Sequence, residues 1–119
     1  KTSNLIPPPE EDIQAKHGAE DFSLAFARIE NHYFMNGAFF PRDGYLLEKE
    51  QIDKIRHIPT FIVQGRYDVV CPMMSAYDLH KAFPEAEFKV TLTGHSQYEP
   101  EITSELVKAT DRFKYRYTA

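Results

Sequence analysis

The order of elements after residue 58 is the feature that most constrains the fold of this chain. Two short apolar runs at 60–65 and 87–92 alternate with two helical stripes at 72–83 and 100–113. Strand, helix, strand, helix is the order in which a parallel sheet is built, because a helical crossover returns the chain to the starting edge. The sequence therefore predicts an α/β fold with two neighbouring parallel strands.

The two predicted strands differ in pattern. Residues 60–65 do not alternate between polar and apolar positions, which is typical of an interior parallel strand with both faces covered. In 87–92, Phe88, Val90 and Leu92 share one face, which predicts a strand near the sheet edge. Two parallel strands are not stable alone, so we expect the remaining strands upstream of this chain.

The first half of the chain has a different pattern. Residues up to about 20 are polar and interrupted by three consecutive prolines, which predicts an extended or loosely held loop. Residues 21–35 carry apolar side chains at helical spacing and on the other faces too, which predicts a helix buried almost all round that ends at Asn36-Gly37. A short helix is predicted at 47–55.

Composition limits the possible functions. The 119 residues are 42% hydrophobic, enough for one small globular unit. The net charge of −4 offers no electropositive surface for nucleic acid or an anionic membrane. The apolar runs are far shorter than the ~20 residues that cross a bilayer. With the single cysteine Cys71 and no signal-like N-terminus, the chain is predicted to be cytoplasmic.

Asp68 and His95 are the candidate catalytic pair. Each follows the carboxyl end of a predicted strand, and neighbouring strands lie about 4.8 Å apart, so the two loops can bring a carboxylate to an imidazole. Such a carboxylate fixes the imidazole tautomer for general-base catalysis, and α/β-hydrolases carry their triad in the order Ser, Asp, His. An Asp in a turn and a His in a loop are also common structural residues, so the residues alone leave both interpretations open.

A family resemblance adds to this interpretation. The most specific string in the chain is GRYDVVCP at 65–72, which closely resembles the segment around the triad aspartate of proline iminopeptidases, the prolyl aminopeptidases of the α/β-hydrolase superfamily. The resemblance continues through SAYDLHKAFPEA at 75–86, GHS at 94–96 and Glu99-Pro100, and upstream through ARIENHYF at 27–34. Matches in this order over roughly three quarters of the chain are hard to obtain by chance.

The resemblance implies a domain division and a fold. Residues 1–52 would be the end of a helical cap domain and a linker. Residues 53–119 would be the C-terminal part of an α/β-hydrolase core, namely its last two parallel strands with flanking helices.

The resemblance also implies residue roles. Asp68 resembles the triad acid and His95 the triad base. Glu30 matches a cap glutamate that helps to hold the substrate's free α-amino group. Phe34 and Cys71 match residues that line the pocket for the N-terminal proline ring.

The residues themselves permit other roles for these three positions. Glu30 lies one helical turn from Phe26 and from Phe34, and a carboxylate among aromatic rings requires a cation. That cation is either a substrate ammonium or a structural arginine or histidine. Phe34 alone would be interpreted as a core residue, and Cys71 as a small buried one.

The implied enzyme releases N-terminal proline from peptides by a Ser-His-Asp mechanism without a cofactor. No serine here has glycines two residues before and after it, so the nucleophile and the oxyanion hole are expected from the N-terminal remainder of the protein, and this chain alone is expected to be inactive. The histidines at 17, 32, 57 and 80 lack metal-ligand spacing and are interpreted as structural or surface residues, so no metal is predicted.

Two alternatives to the peptidase stay open. An esterase, lipase or epoxide hydrolase would use the same Asp68 and His95. A non-catalytic module would instead dock a partner chain along its exposed sheet edge.

Overall fold

A computed structural model describes residues 4–17 and 20–114. Five helices and two strands occur in this part of the chain, joined by two short 3₁₀ turns at Gly37–Phe39 and Tyr45–Leu47. In chain order they are α1 (Glu10–His17), α2 (Glu20–Met35), α3 (Lys49–Ile52), β1 (Phe61–Gly65), α4 (Met73–Ala82), β2 (Glu87–Thr91) and α5 (Pro100–Lys114).

The two strands form a parallel pair, as the element order predicts. Ile62 of β1 lies opposite Phe88 of β2, and Gly65 lies opposite Thr91 at the carboxyl ends. The predicted ends of β1, α4, β2 and α5 agree with the observed ends to within one residue. The α/β prediction is therefore confirmed, and both loops that follow the strands start at the same edge of the sheet.

One face of the sheet packs against α4. Phe83 is 1% exposed and forms a buried cluster with Ile52 and Ala86, against which Ile62 packs. Burial of a side chain of this size stabilises the fold by about 1.5–3 kcal/mol. On the same face the His80 ring of α4 stacks on Phe88, with ring centroids 5.2 Å apart.

The other face packs against α5. The Arg112 guanidinium lies 5.8 Å from the centre of the Phe61 ring and also donates to the Glu87 carboxylate at 2.9 Å. Ile102 and Ala109 are buried along the same helix. Strand β1 is therefore covered on both faces, which agrees with its non-alternating pattern.

The loop predicted for the first 20 residues is wrong over part of its length, because α1 is a helix. The carbonyl of Pro9 accepts the N–H groups of Asp12 at 3.1 Å and Ile13 at 3.3 Å. The prolines precede the helix, where a fixed φ and a missing N–H cost nothing, and acidic residues fill its first turn. Residues 1–3, 18 and 19 of the predicted loop lie outside the described residues.

The predicted burial of α2 is also wrong. The described side chains from Phe22 to Met35 are all exposed, with Ile29 at 61% and Phe34 at 76%. The helix ends where predicted, since Gly37 follows with a φ of +54°. An apolar pattern identifies a surface that requires cover, but it does not say whether the cover belongs to the same stretch of chain.

The helix predicted at 47–55 is shorter than expected. Glu48 has an extended backbone, with φ −65° and ψ 141°, so the chain forms a 3₁₀ turn before it and α3 after it. Ile52, the last residue of the predicted cap and linker, packs with Phe83 in the buried cluster. The division at residue 52 stays a prediction.

Among the helices of residues 4–17 and 20–114, none has both the length and the apolarity that a bilayer crossing requires.

Candidate active site

Asp68 is held in the turn that follows β1. Its Oδ1 atom accepts the backbone N–H of Val70 at 2.9 Å and that of Cys71 at 2.8 Å. A short carboxylate side chain is suited to such a turn, because it replaces a backbone acceptor. The side chain is only 6% exposed. With Oδ1 occupied by the turn, Oδ2 is directed to a different partner.

That partner is His95, in the loop between β2 and α5. Asp68 Oδ2 lies 3.0 Å from His95 Nδ1, and the imidazole is 38% exposed. The ring nitrogen Nε2 makes no hydrogen bond to any residue that the structure describes. When Nδ1 donates to the carboxylate, Nε2 carries the lone pair and is able to accept a proton. The contact expected from the strand ends is present.

The hydrogen bonds around Asp68 keep its carboxyl group ionised. Burial acts to raise the pKa of Asp68, but hydrogen bonds from the Cys71 N–H, the His95 ring and the Val70 N–H outweigh it, so the pKa lies below its ordinary value. Asp68 is therefore negatively charged at neutral pH and stabilises a protonated His95 imidazole.

Gln64 is a supporting residue that sequence reasoning missed. Its side-chain amide donates to Asp68 Oδ2 at 3.3 Å and to the Cys71 carbonyl at 3.1 Å. It thus fixes the same carboxylate oxygen that contacts His95. The available signal was a single polar amide inside an apolar strand, four residues before an aspartate.

Gly65, at the end of β1, was also missed as a site residue. A Cβ atom there would lie 1.9 Å from the Gly94 carbonyl oxygen and 2.8 Å from that of Thr93. The Arg66 N–H donates to the Thr91 carbonyl at 2.8 Å, and the Tyr67 N–H donates to the Thr93 carbonyl at 2.9 Å. These two backbone hydrogen bonds hold the two segments close together. Glycine is therefore required for the loop that carries His95 to cross so close to β1.

The substitution Gly65→Ala is expected to destabilise the full-length protein by about 3 kcal/mol, the upper part of the usual overpacking range. It is also expected to lower kcat by about 10²-fold, because the His95 loop must move by an ångström or more. Thermal unfolding and steady-state kinetics measure the two effects. Gly44→Ala is the control, since a Cβ there meets nothing within 4 Å and only the φ of +74° is strained. Wild-type kcat in Gly65→Ala would contradict the close approach.

The three predicted substrate-binding residues fall into two groups. Cys71 lies beside the catalytic pair, because its N–H binds Asp68, and its side chain is exposed rather than buried as its type suggested. No hydrogen bond, ion pair or ring contact among the described residues joins Glu30 or Phe34 to Asp68, His95 or Cys71. The Glu30 carboxylate forms no ion pair in the described part of the chain, so the structural arginine or histidine is not found there. The roles of all three stay predictions.

Of the other described histidines, His80 and His32 make ring contacts, and His57 is an exposed surface residue. His80 stacks on Phe88, and the His32 ring lies 5.2 Å from that of Phe39. Across residues 4–17 and 20–114, no group of three or more His, Cys, Asp or Glu side chains could hold a metal ion. The side chain of His17 lies outside the described residues.

The fold and the site together define a class. A parallel strand pair flanked by helices, with an aspartate and a histidine in contact beyond successive strand ends, is the C-terminal architecture of an α/β-hydrolase. The chain is 66% identical over 99 residues to a proline iminopeptidase of Arabidopsis thaliana, 53% over 105 residues to one of Xylella fastidiosa and 54% over 89 residues to one of Neisseria gonorrhoeae. It belongs to the proline iminopeptidase family.

The match covers most of this chain but a minor part of each relative. These alignments include 81%, 87% and 75% of the chain, and 26%, 33% and 28% of the respective relatives. The chain therefore spans about a third or less of their length and corresponds to their C-terminal part. No protein-family model matches the chain.

Proposed function

We propose that the full-length protein is a serine aminopeptidase that releases proline from the N-terminus of peptides, and that this chain supplies its triad Asp and His. The observation that carries the proposal is the 3.0 Å contact between Asp68 and His95. The relatives named as proline iminopeptidases support the choice of substrate.

The geometry supports a Ser-His-Asp mechanism. A serine outside this chain attacks the prolyl carbonyl while His95 Nε2 accepts the serine proton, and backbone amides hold the oxyanion. The ionised Asp68 stabilises the imidazolium, which then gives its proton to the leaving amine. Water hydrolyses the prolyl ester by the same route in reverse order. Nucleophile and oxyanion hole come from the N-terminal remainder, so the chain is inactive alone.

Substrate recognition is assigned to the other three residues. Glu30 holds the free α-amino group, the role that its match to the cap glutamate of the family implies. Phe34 and Cys71 line the pocket for the proline ring, and the hydrogen bond from the Cys71 N–H to Asp68 supports a pocket beside the reacting carbonyl. Neither a cofactor nor nucleic acid takes part.

The test compares substrates of the full-length protein. A peptide with free N-terminal proline is expected to have a kcat/KM about 10²–10³-fold higher than its N-acetylated form, the effect of removing one partner of a desolvated charge pair. The same peptide with N-terminal alanine is the control for the proline ring. Equal turnover of acetylated peptides or simple esters would favour the esterase alternative. No turnover and no labelling by a fluorophosphonate, a reagent for activated serines, would favour the non-catalytic module.

A further inference from the structure

Glu99 is a buried carboxylate that the mechanism above does not use. It is 7% exposed, and both of its oxygens lie within hydrogen-bond distance of the Gly94 N–H, at 3.0 and 3.2 Å. It forms no ion pair with the described residues. A buried carboxylate is costly unless its oxygens accept hydrogen bonds, so N–H donors are what keep this one in place.

These bonds close the loop that carries His95. The connection between β2 and α5 covers residues 92–99, and Gly94 and Glu99 are the ends of the part that carries His95. Within this part the Glu99 N–H also donates to the Ser96 carbonyl at 3.0 Å. The Glu99 carbonyl in turn accepts the Thr103 N–H at 3.0 Å, which anchors Glu99 to the start of α5. Residues 94–99 therefore form a closed loop that presents His95, and the hydrogen bonds of the Glu99 side chain to Gly94 close it.

Gly94 is held from two sides. Its carbonyl oxygen lies where a Cβ of Gly65 would clash, so the end of β1 limits its movement in one direction. Its N–H is held by Glu99 from the other. The position of the next residue, His95, and hence its contact with Asp68, depends on both restraints.

Glu99 also binds a third segment. Its Oε2 atom accepts the N–H of Leu5 at 3.1 Å, a contact between residues 94 positions apart. The carboxylate thus joins the N-terminal stretch to the His95 loop, while the Glu99 backbone carbonyl joins both to α5. A residue that only capped a helix would have no need of the first two contacts.

We propose that Glu99 is a positioning residue of the catalytic centre, whose carboxylate holds Gly94 so that His95 Nδ1 meets Asp68. This rests on the proposed hydrolase function, but not on the choice of proline as substrate. The alternative is a purely structural role, in which loss of Glu99 lowers stability while each folded molecule works at the normal rate.

The variants Glu99→Gln and Glu99→Ala separate these roles in the full-length protein. Glu99→Gln keeps the shape but loses the charge-assisted hydrogen bonds, and kcat per titrated active site is expected to fall about 10-fold. Glu99→Ala frees Gly94, and a fall of about 10²-fold is expected, with KM within about twofold of wild type. The control is Glu101→Gln. That exposed carboxylate accepts the Leu92 N–H at 3.0 Å, at the start of the same connection, and makes no hydrogen bond to the described residues 94–99, so kcat should stay within about twofold.

A second readout does not depend on turnover. The proton shared by His95 Nδ1 and Asp68 gives a downfield NMR signal, which is expected to weaken in both Glu99 variants and to persist in Glu101→Gln. A structural role would leave this signal and kcat per active site unchanged while lowering the unfolding temperature, and that result would overturn the proposal.

The rate of labelling by a fluorophosphonate separates this inference from the proposed function. If wild type is labelled but does not release proline, and labelling slows in the Glu99 variants, the peptidase assignment fails and the role of Glu99 stands. Proline release that is equal in wild type and Glu99→Ala would keep the peptidase and reject the positioning role.

Discussion

Replacing Asp68 by asparagine in the full-length protein is expected to lower kcat by about 10⁴-fold, the effect of fixing the wrong imidazole tautomer. Oδ1 accepts two backbone N–H groups, from Val70 and Cys71, so the amide oxygen of asparagine keeps that position. The NH₂ group then replaces Oδ2 and faces His95 Nδ1. Nδ1 must become the acceptor, which leaves the proton on Nε2, where it blocks general-base catalysis.

The expected loss is in the chemical step, so KM should change little. Asp78→Asn is the matched control, since Asp78 forms an exposed ion pair with Lys81 at 2.7 Å and is expected to keep wild-type kcat. Steady-state kinetics on a substrate with free N-terminal proline measures kcat and KM of both variants. A kcat of Asp68→Asn within about tenfold of wild type would show that Asp68 is only a turn residue.

The placement of this pair was predictable because it depends on local patterns and on one rule of topology. The strands, the crossover helix and their ends follow from runs of a few residues, each of which agrees with its neighbours in the fold. Parallel strands then bring Asp68 and His95 to the same edge of the sheet. Helix α1 was not predicted, because the prolines before it indicate a loop. Proline is unfavourable inside a helix but compatible with its beginning.

The supporting contacts were not predictable, because they depend on backbone positions far apart in sequence. The need for glycine at 65 arises from the carbonyl of Gly94, and the role of Glu99 arises from N–H groups at Gly94 and Leu5. In the sequence, Glu99 is only an acidic residue at the start of a helix, where the helix dipole already accounts for it. Its hydrogen bonds to Gly94 and Leu5 are evident only from the folded structure.

The exposure of α2 was not predictable either, because it also depends on residues far away in the sequence. Its pattern correctly predicts a helix, and its apolar side chains require cover that the described residues do not provide. Because the chain spans about a third of its relatives or less, we expect the rest of the full-length protein to cover this helix. Glu30 and Phe34 would then face an enclosed site, which is the condition under which a carboxylate and an aromatic ring recognise a prolyl N-terminus.

The substitution Glu30→Gln tests that expectation. If Glu30 holds the substrate ammonium, the kcat/KM for peptides with free N-terminal proline is expected to fall about 10²–10³-fold, because the isosteric amide leaves the ammonium without its counter-charge. The preference over N-acetylated peptides should disappear with it. Glu50→Gln, which alters an exposed carboxylate of α3, is expected to change neither value.

The same variant distinguishes recognition from catalysis. Fluorophosphonate labelling of the serine requires His95 and Asp68 but no substrate ammonium, so Glu30→Gln should label at the wild-type rate while Asp68→Asn labels slowly. Slow labelling of Glu30→Gln would mean that Glu30 supports the fold of the catalytic centre instead of binding the substrate. Normal cleavage of free-amine substrates by Glu30→Gln would make it a surface residue, and the Asp68–His95 pair would then serve a hydrolase that selects its substrate without reading the N-terminus.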